Sequence, residues 1–181
     1  IVDHMPVPMV AQHLSKNELF RLSWGAKNTH GEAWRKLETE FNLRLERMLK
    51  EAQQNNCLQP KAIYGYWPAQ ADGNDLVLFD PDSLESGSPT EVERFHFPRQ
   101  NGGENLCLAD YFLPLGFEKM DVVALQVVTV GEKATRRFAE LEVAGDYSEA
   151  YYLHGLSVQM AEATADYLHA HIRRELNLKA D

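Results

Sequence analysis

Residues 151–178, YYLHGLSVQMAEATADYLHAHIRRELNL, decide the fold. Leu153, Leu156, Met160, Thr164, Tyr167, Leu168 and Ile172 recur at three- and four-residue spacing. The segment therefore reads as one long helix with a continuous inward stripe. It sets a carboxylate, Glu162, among small and apolar neighbours. Gly155, read inside the first turn, weakens the helix by ~1 kcal/mol relative to Ala. A residue with no side chain in that place fits a simple helix start, or close approach by another backbone or a ligand.

Working outward, residues 132–144 form a second helix with Ala134, Phe138 and Leu141 inward, and Gly145 separates it from the long one. The preceding run DVVALQVVTV (121–130) is almost wholly apolar, and predicts a central strand covered on both faces. Residues 62–67 and 76–79 are strand signals joined by Ala71-Asp72-Gly73-Asn74, whose Asp-Gly favours a tight reversal and so a hairpin. Residues 92–97 alternate as a half-buried strand stopped by Pro98. Residues 81–89 and 100–105 read as loops, 17–24 as a short helix and 107–112 as one helical turn. A long amphipathic helix spans 32–55, with Trp34, Leu37, Phe41, Leu45, Met48, Leu49 and Ala52 on one side. Hairpin connections imply antiparallel pairing, so the class is α+β, and residues 1–181 read as a single domain without repeats or linkers.

Bulk properties exclude several functions. The net charge of −9 argues against nucleic acid, which requires a basic footprint. No apolar run approaches the ~18 residues of a membrane span. Cys57 and Cys107 are too few for a disulfide framework and lack CxxC spacing, so a reduced, cytoplasmic setting is expected. The first residue is Ile, which reads as a processed or excised chain. There is no phosphate loop and no GxSxG elbow. Seven histidines invite a metal reading, but His169 and His171 are two apart on a helix and diverge, so no metal site is expected.

Two acids stand out. Spacing alone leaves three roles for Asp3: a helix cap, a solvated charge, or a counter-charge for a ligand ammonium or sulfonium. Glu162 is either solvated or an acceptor for a ribose diol, since an ionised carboxylate only accepts hydrogen bonds. Arg99-Gln100 after the strand reads as a loop anchor, or as a binder of a backbone carbonyl or an anion. Of Tyr64, Tyr66 and Trp67, at least one ring packs in the core.

Six stretches carry a resemblance: VDHMPVP (2–8), LQPKAIYGYWPAQADGNDLVLF (58–79), FHFPRQ (95–100), LCLADYFLP (106–114), DVVALQVVTVG (121–131) and YLHGLSVQMAEATADYLHAHIRREL (152–176). In this order and at these intervals the chain resembles the reactivation domain of cobalamin-dependent methionine synthase over its whole length. The resemblance implies a curved, mainly antiparallel sheet with flanking helices and a long C-terminal helix. It implies binding of S-adenosylmethionine and support for reductive methylation of cob(II)alamin to methylcobalamin, within a methyltransferase. The implied partners are a cobalamin-binding domain of the same enzyme, which would hold the cobalamin, and flavodoxin or a similar electron donor.

By motif, the resemblance carries Asp3 to the methionyl part of S-adenosylmethionine and Glu162 to the ribose hydroxyls. It assigns no catalytic nucleophile or base here. The family's Arg-x-x-x-Gly-Tyr-x-x-Cys-Pro segment and its cobalamin-binding Asp-x-His-x-x-Gly segment have no match in these 181 residues. The chain is thus expected to be the N-terminal part of the domain, inactive alone. Two alternatives remain at this level: a docking module for a cobalamin domain and a flavodoxin-type donor that binds no ligand itself, with Lys16, Arg21, Lys27, Arg35 and Lys36 as its basic patch, and a stand-alone activator of a corrinoid protein.

Overall fold

The computed structural model describes residues 1–178. These fall into two compact units, one built from Ile1–Ile63 with residues 126–178, the other from Tyr64–Leu125. The fold is α+β. Three helices dominate, α1 (Gly31–Asn55), α2 (Glu132–Val143) and α3 (Tyr147–Glu175). Four strands, β1 (Lys61–Asp72), β2 (Asp75–Phe79), β3 (Glu91–His96) and β4 (Asp121–Thr129), form one sheet in the order β3-β2-β1-β4. The β1–β2 and β2–β3 pairs are antiparallel.

In the first unit the long helix starts one turn earlier than its apolar stripe suggests. Asp146 accepts a hydrogen bond from the Glu149 amide (3.2 Å) and caps α3, satisfying one of the orphan donors of the first turn. Gly155 consequently lies in the third turn, and close approach is its reason. A Cβ added there would sit 2.9 Å from Cδ1 of Trp24 and 3.2 Å from Cβ of Ser23. The Trp24 indole cannot retreat. It stacks on Phe20 (5.3 Å between centroids), meets Phe41 and Tyr152 edge-on at 5.1 and 5.2 Å, and donates its N–H to the Tyr152 carbonyl at 3.1 Å. The predicted short helix at 17–24 is the element that delivers this ring, as one α turn (Lys16–Glu18) running into a π segment (Leu19–Ser23).

Helix α1 buries Phe41, Leu45, Met48 and Ala52, the i, i+4, i+7, i+11 face of an amphipathic helix. Its polar side reaches α3 through Glu149, which accepts from Arg44 and from Arg47, each at 2.7 Å. The Arg44 guanidinium also lies 4.0 Å over the Tyr152 ring, adding a cation–π contact. The hydrogen bond to the Glu149 carboxylate raises the Arg47 guanidinium above its ordinary pKa.

In the second unit β1 and β2 make the expected hairpin, with Asp72 opposite Asp75 and Gly73 at φ +62°. Strand β1 runs past the expected 62–67 and through Pro68 to Asp72. Pairing with β2 begins only at Ala69, so the missing proline N–H falls outside that ladder. Ala69, Leu76 and Leu78 form the small core, packed by Trp67, Phe97, Phe112 and Val123. Trp67 is thus the ring of the aromatic cluster that joins a core, while Tyr64 and Tyr66 meet edge-on at 5.8 Å. The buried Gln70 amide ties down the following loop by donating to the Phe117 and Lys119 carbonyls, both at 2.9 Å.

Two strand expectations need correction. Strand β4 is not central. It occupies a sheet edge and alternates half-buried with exposed positions, Val127 being 70% exposed. An apolar run reports hydrophobicity, not the number of neighbouring strands. Strand β3, expected to be half-buried, is exposed at all six positions, because it forms the other edge. Its charges are mutually satisfied: Arg94 donates to Glu91, Asp72 and Asp75.

Arg99 is a loop anchor. Its guanidinium grips Asp110 through two bonds (2.6 and 2.7 Å) and donates to the Asn105 carbonyl at 2.8 Å, while Asp110 also accepts from the Cys107 amide at 2.8 Å.

Gly155→Ala is expected to lower stability by about 1 kcal/mol in urea unfolding. Overpacking against the indole, ~1–3 kcal/mol, outweighs the helix-propensity gain of ~1 kcal/mol. The Arg99 guanidinium depresses the Asp110 carboxyl below its ordinary 3.8. A depressed folded-state pKa contributes stability above the unfolded value and loses it as pH falls through the folded one. The exchange protection factor of the Cys107 amide, which donates to Asp110, should therefore fall below pH 3.8, and Asp110→Asn should show that lower protection already at neutral pH.

Candidate functional site

Asp3 stands on an extended segment pinned at both ends. Val2 exchanges backbone hydrogen bonds with Ala62 (2.8 and 3.0 Å), and the Met5 amide donates to the Pro60 carbonyl at 3.1 Å. Met5 is buried, whereas Asp3 and His4 are exposed. Pro6 then opens the helical turn Val7–Val10, which packs on α3. The acid is not a helix cap, because no side chain caps this turn. Its carboxylate is held at the surface on a short tether with both ends fixed.

Glu162 is exposed on α3 beside buried Ala163 and Thr164. Asp3 and Glu162 belong to the same compact unit. No hydrogen bond joins them, and neither lines any of the five cavities described below.

Near Glu162 the structure shows a residue that sequence reading passed over. The Gln126 side chain on β4 donates to the Ala165 carbonyl of α3 at 3.4 Å, three residues from Glu162 and on the same face. Its amide oxygen is shielded from solvent and has no hydrogen-bond partner among the described residues. The signal was present in sequence, since Gln126 is the one amide in DVVALQVVTV. An unsatisfied buried acceptor costs about 1–3 kcal/mol, so it weakens this corner of the fold.

The cavities are of moderate size. One of about 470 Å3 lies among α1, α2 and α3 and includes Arg44, Arg47, Cys57, Arg137 and Glu149 in its wall. Its arginines are occupied: Arg44 and Arg47 hold Glu149, and Arg137 donates to Glu140 at 3.0 Å. Burial pushes the Cys57 thiol up, so it is a poor nucleophile there. Neighbouring cavities of about 430 and 460 Å3 border this wall, and one of about 140 Å3 lies under His4 and Pro60. The fifth, about 420 Å3, lies at the C-terminal end of α3. Among the described residues no three His, Cys, Asp or Glu side chains gather as a metal site, and no helix is long and apolar enough to cross a membrane.

Of the five cations considered as a docking patch, Arg21 is committed internally. It donates to the Ala26 and Thr29 carbonyls and lies 3.5 Å over the Trp34 ring. Lys16 donates to Asn42 at 2.8 Å and Lys36 pairs with Glu32 at 3.3 Å.

The activation-domain family of vitamin B12 dependent methionine synthase matches residues 10–180. The chain belongs to this family. Among curated relatives, methionine synthase of Mycobacterium tuberculosis is 34% identical over 177 residues, 93% of this chain and 15% of the relative. Methionine synthase of Mycobacterium leprae is 32% identical across 100% of this chain and 16% of the relative. The activation-domain chain thus spans about one-sixth of the length of these enzymes. Among solved structures it is similar to the MetH reactivation domain bound to AdoHcy, with a TM-score of 0.77 and 23% identity, over 93% of this chain and 53% of that one. That likeness shows the fold: an antiparallel sheet with helices and a long helix at the C-terminal end.

Gln126→Leu removes the unsatisfied acceptor, and is expected to raise unfolding stability by about 1 kcal/mol, measured as the urea midpoint at unchanged slope.

Proposed function

We propose that this chain binds S-adenosylmethionine as part of a methionine synthase reactivation domain, and acts as one domain over its length. In this reading it presents the sulfonium methyl group for reductive methylation of cob(II)alamin, in a cytoplasmic enzyme. The observation that carries the reading is the family match across 171 of the 181 residues, positions 10–180. It is supported by the likeness in fold to a reactivation domain solved with AdoHcy, the demethylated form of the same ligand.

The chemistry of the two acids suits the ligand. Asp3 offers its carboxyl oxygens as acceptors from a segment with both ends fixed, able to meet an ammonium or a sulfonium charge. Glu162 is an acceptor-only group, suited to the two hydroxyls of a ribose. Neither is spent on a hydrogen bond or ion pair among the described residues. The protein contribution is orientation: a methyl donor held in one pose lowers the barrier through lost freedom already met at binding. The corrin, held by another domain, supplies the metal that receives the methyl group, and an external donor of the flavodoxin type supplies the electron. No side chain of this chain acts as nucleophile or general base in this reading.

Titration calorimetry of the chain with S-adenosylmethionine tests the assignment. A charged hydrogen bond contributes about 1.5–3 kcal/mol, so Asp3→Asn and Glu162→Gln should each weaken binding roughly 10- to 100-fold. Equal affinity in wild type and both variants would remove these acids from the site.

A further inference from the structure

The cavity of about 420 Å3 at the C-terminal end of α3 carries opposite charges on one helical face. Asp166, His169, Ala170, Arg173 and Arg174 line it from the helix, at spacings that share a face. Leu178 and, from the neighbouring turn Ala11–His13, His13 complete the wall. His13 is held by an edge-on contact with Tyr167 at 5.6 Å.

Asp166 and Arg173 are two turns apart, about 10 Å along the axis, one turn beyond the reach of an i,i+4 pair. Arginine side chains on a helix lean toward its N-terminus, the direction of His169 and Ala170. Asp166, His169 and Arg174 have no hydrogen-bond or ion-pair partner among the described residues. By contrast, Arg44, Arg47, Arg94, Arg99, Arg136 and Arg137 are all engaged with carboxylates. The helix-end carbonyls do not compete for a ligand cation. Those of Ile172, Arg173 and Arg174 accept from Leu176, Leu178 and Asn177 at 3.0, 2.9 and 3.1 Å.

One carboxylate, a gap of a helical turn, and the Arg174 guanidinium beyond it are complementary to an α-amino acid zwitterion. We infer that this cavity binds an α-amino acid headgroup, Asp166 accepting from the ammonium and Arg174 donating to the carboxylate. Ala170 and Leu178 receive an apolar side chain. The headgroup has two possible sources, a free amino acid or the amino-acid end of S-adenosylmethionine. The second source rests on the function proposed above.

L-methionine and S-adenosylmethionine, each titrated into the full chain by calorimetry, are the probes. L-methionine should bind saturably, and N-acetyl-L-methionine and L-methionine methyl ester, which each lack one charge, should bind about tenfold more weakly or worse. Asp166→Asn and Arg174→Gln should weaken L-methionine about tenfold, while Arg136→Gln, on α2 and paired with Glu132, should not. If S-adenosylmethionine competes with L-methionine and weakens in the same variants, its amino-acid end is an occupant. If both bind at once, the free amino acid is the occupant. Analogues binding as tightly as L-methionine, or neither ligand depending on Asp166 and Arg174, overturns the inference. In the latter case S-adenosylmethionine binding that still needs Asp3 and Glu162 leaves the proposed function standing. L-methionine binding with no S-adenosylmethionine binding does the reverse.

Discussion

The indole of Trp24 lying on the bare backbone of Gly155 is the contact on which the helical unit depends. The ring is buried, stacked on Phe20 and wedged against Phe41 and Tyr152, and its N–H is spent on the Tyr152 carbonyl. Close packing leaves no room for adjustment at such a site. One side chain thereby fixes three stretches far apart in sequence: the π segment Leu19–Ser23, α1 and the first half of α3. The charge cluster of Arg44, Arg47 and Glu149 sits beside it. It adds orientation more than energy, since partly exposed pairs contribute little.

That packing places the candidate chemistry. With α3 held along its first half, its second half presents Glu162, Asp166, His169, Arg173 and Arg174 in file. The N-terminal segment is strapped to the start of β1 by the Val2–Ala62 pairing, which carries Asp3 into the same compact unit. The side chains with ligand chemistry therefore sit on rigid elements or on short tethers, where positioning can be held at low entropic cost. The buried oxygen of Gln126, unpartnered among the described residues, is an exception to local consistency. Natural folds tend to concentrate such exceptions near functional sites.

The two ends of the sheet show the opposite tendency. Strand β3 is exposed on both faces but covered in charge, with Arg94 shared among three acids. Strand β4 has no basic residue, and Val122, Leu125 and Val127 are exposed. Charged edges resist unwanted pairing and bare apolar ones do not, so the two edges of this sheet are chemically distinct.

Much of this was legible from residues alone. The three long helices and the Asp-Gly hairpin follow from local rules, because helical faces, caps and tight turns depend on residues within a few positions of one another. The six matching stretches named the family. Spacing could not say that β4 is an edge, that β1 runs through Pro68, that Gly155 yields to an indole 131 positions upstream, or that His13 closes a cavity with Arg174. Each of these depends on which distant segment lies alongside, and that is set by long-range pairing and packing, which no local period encodes.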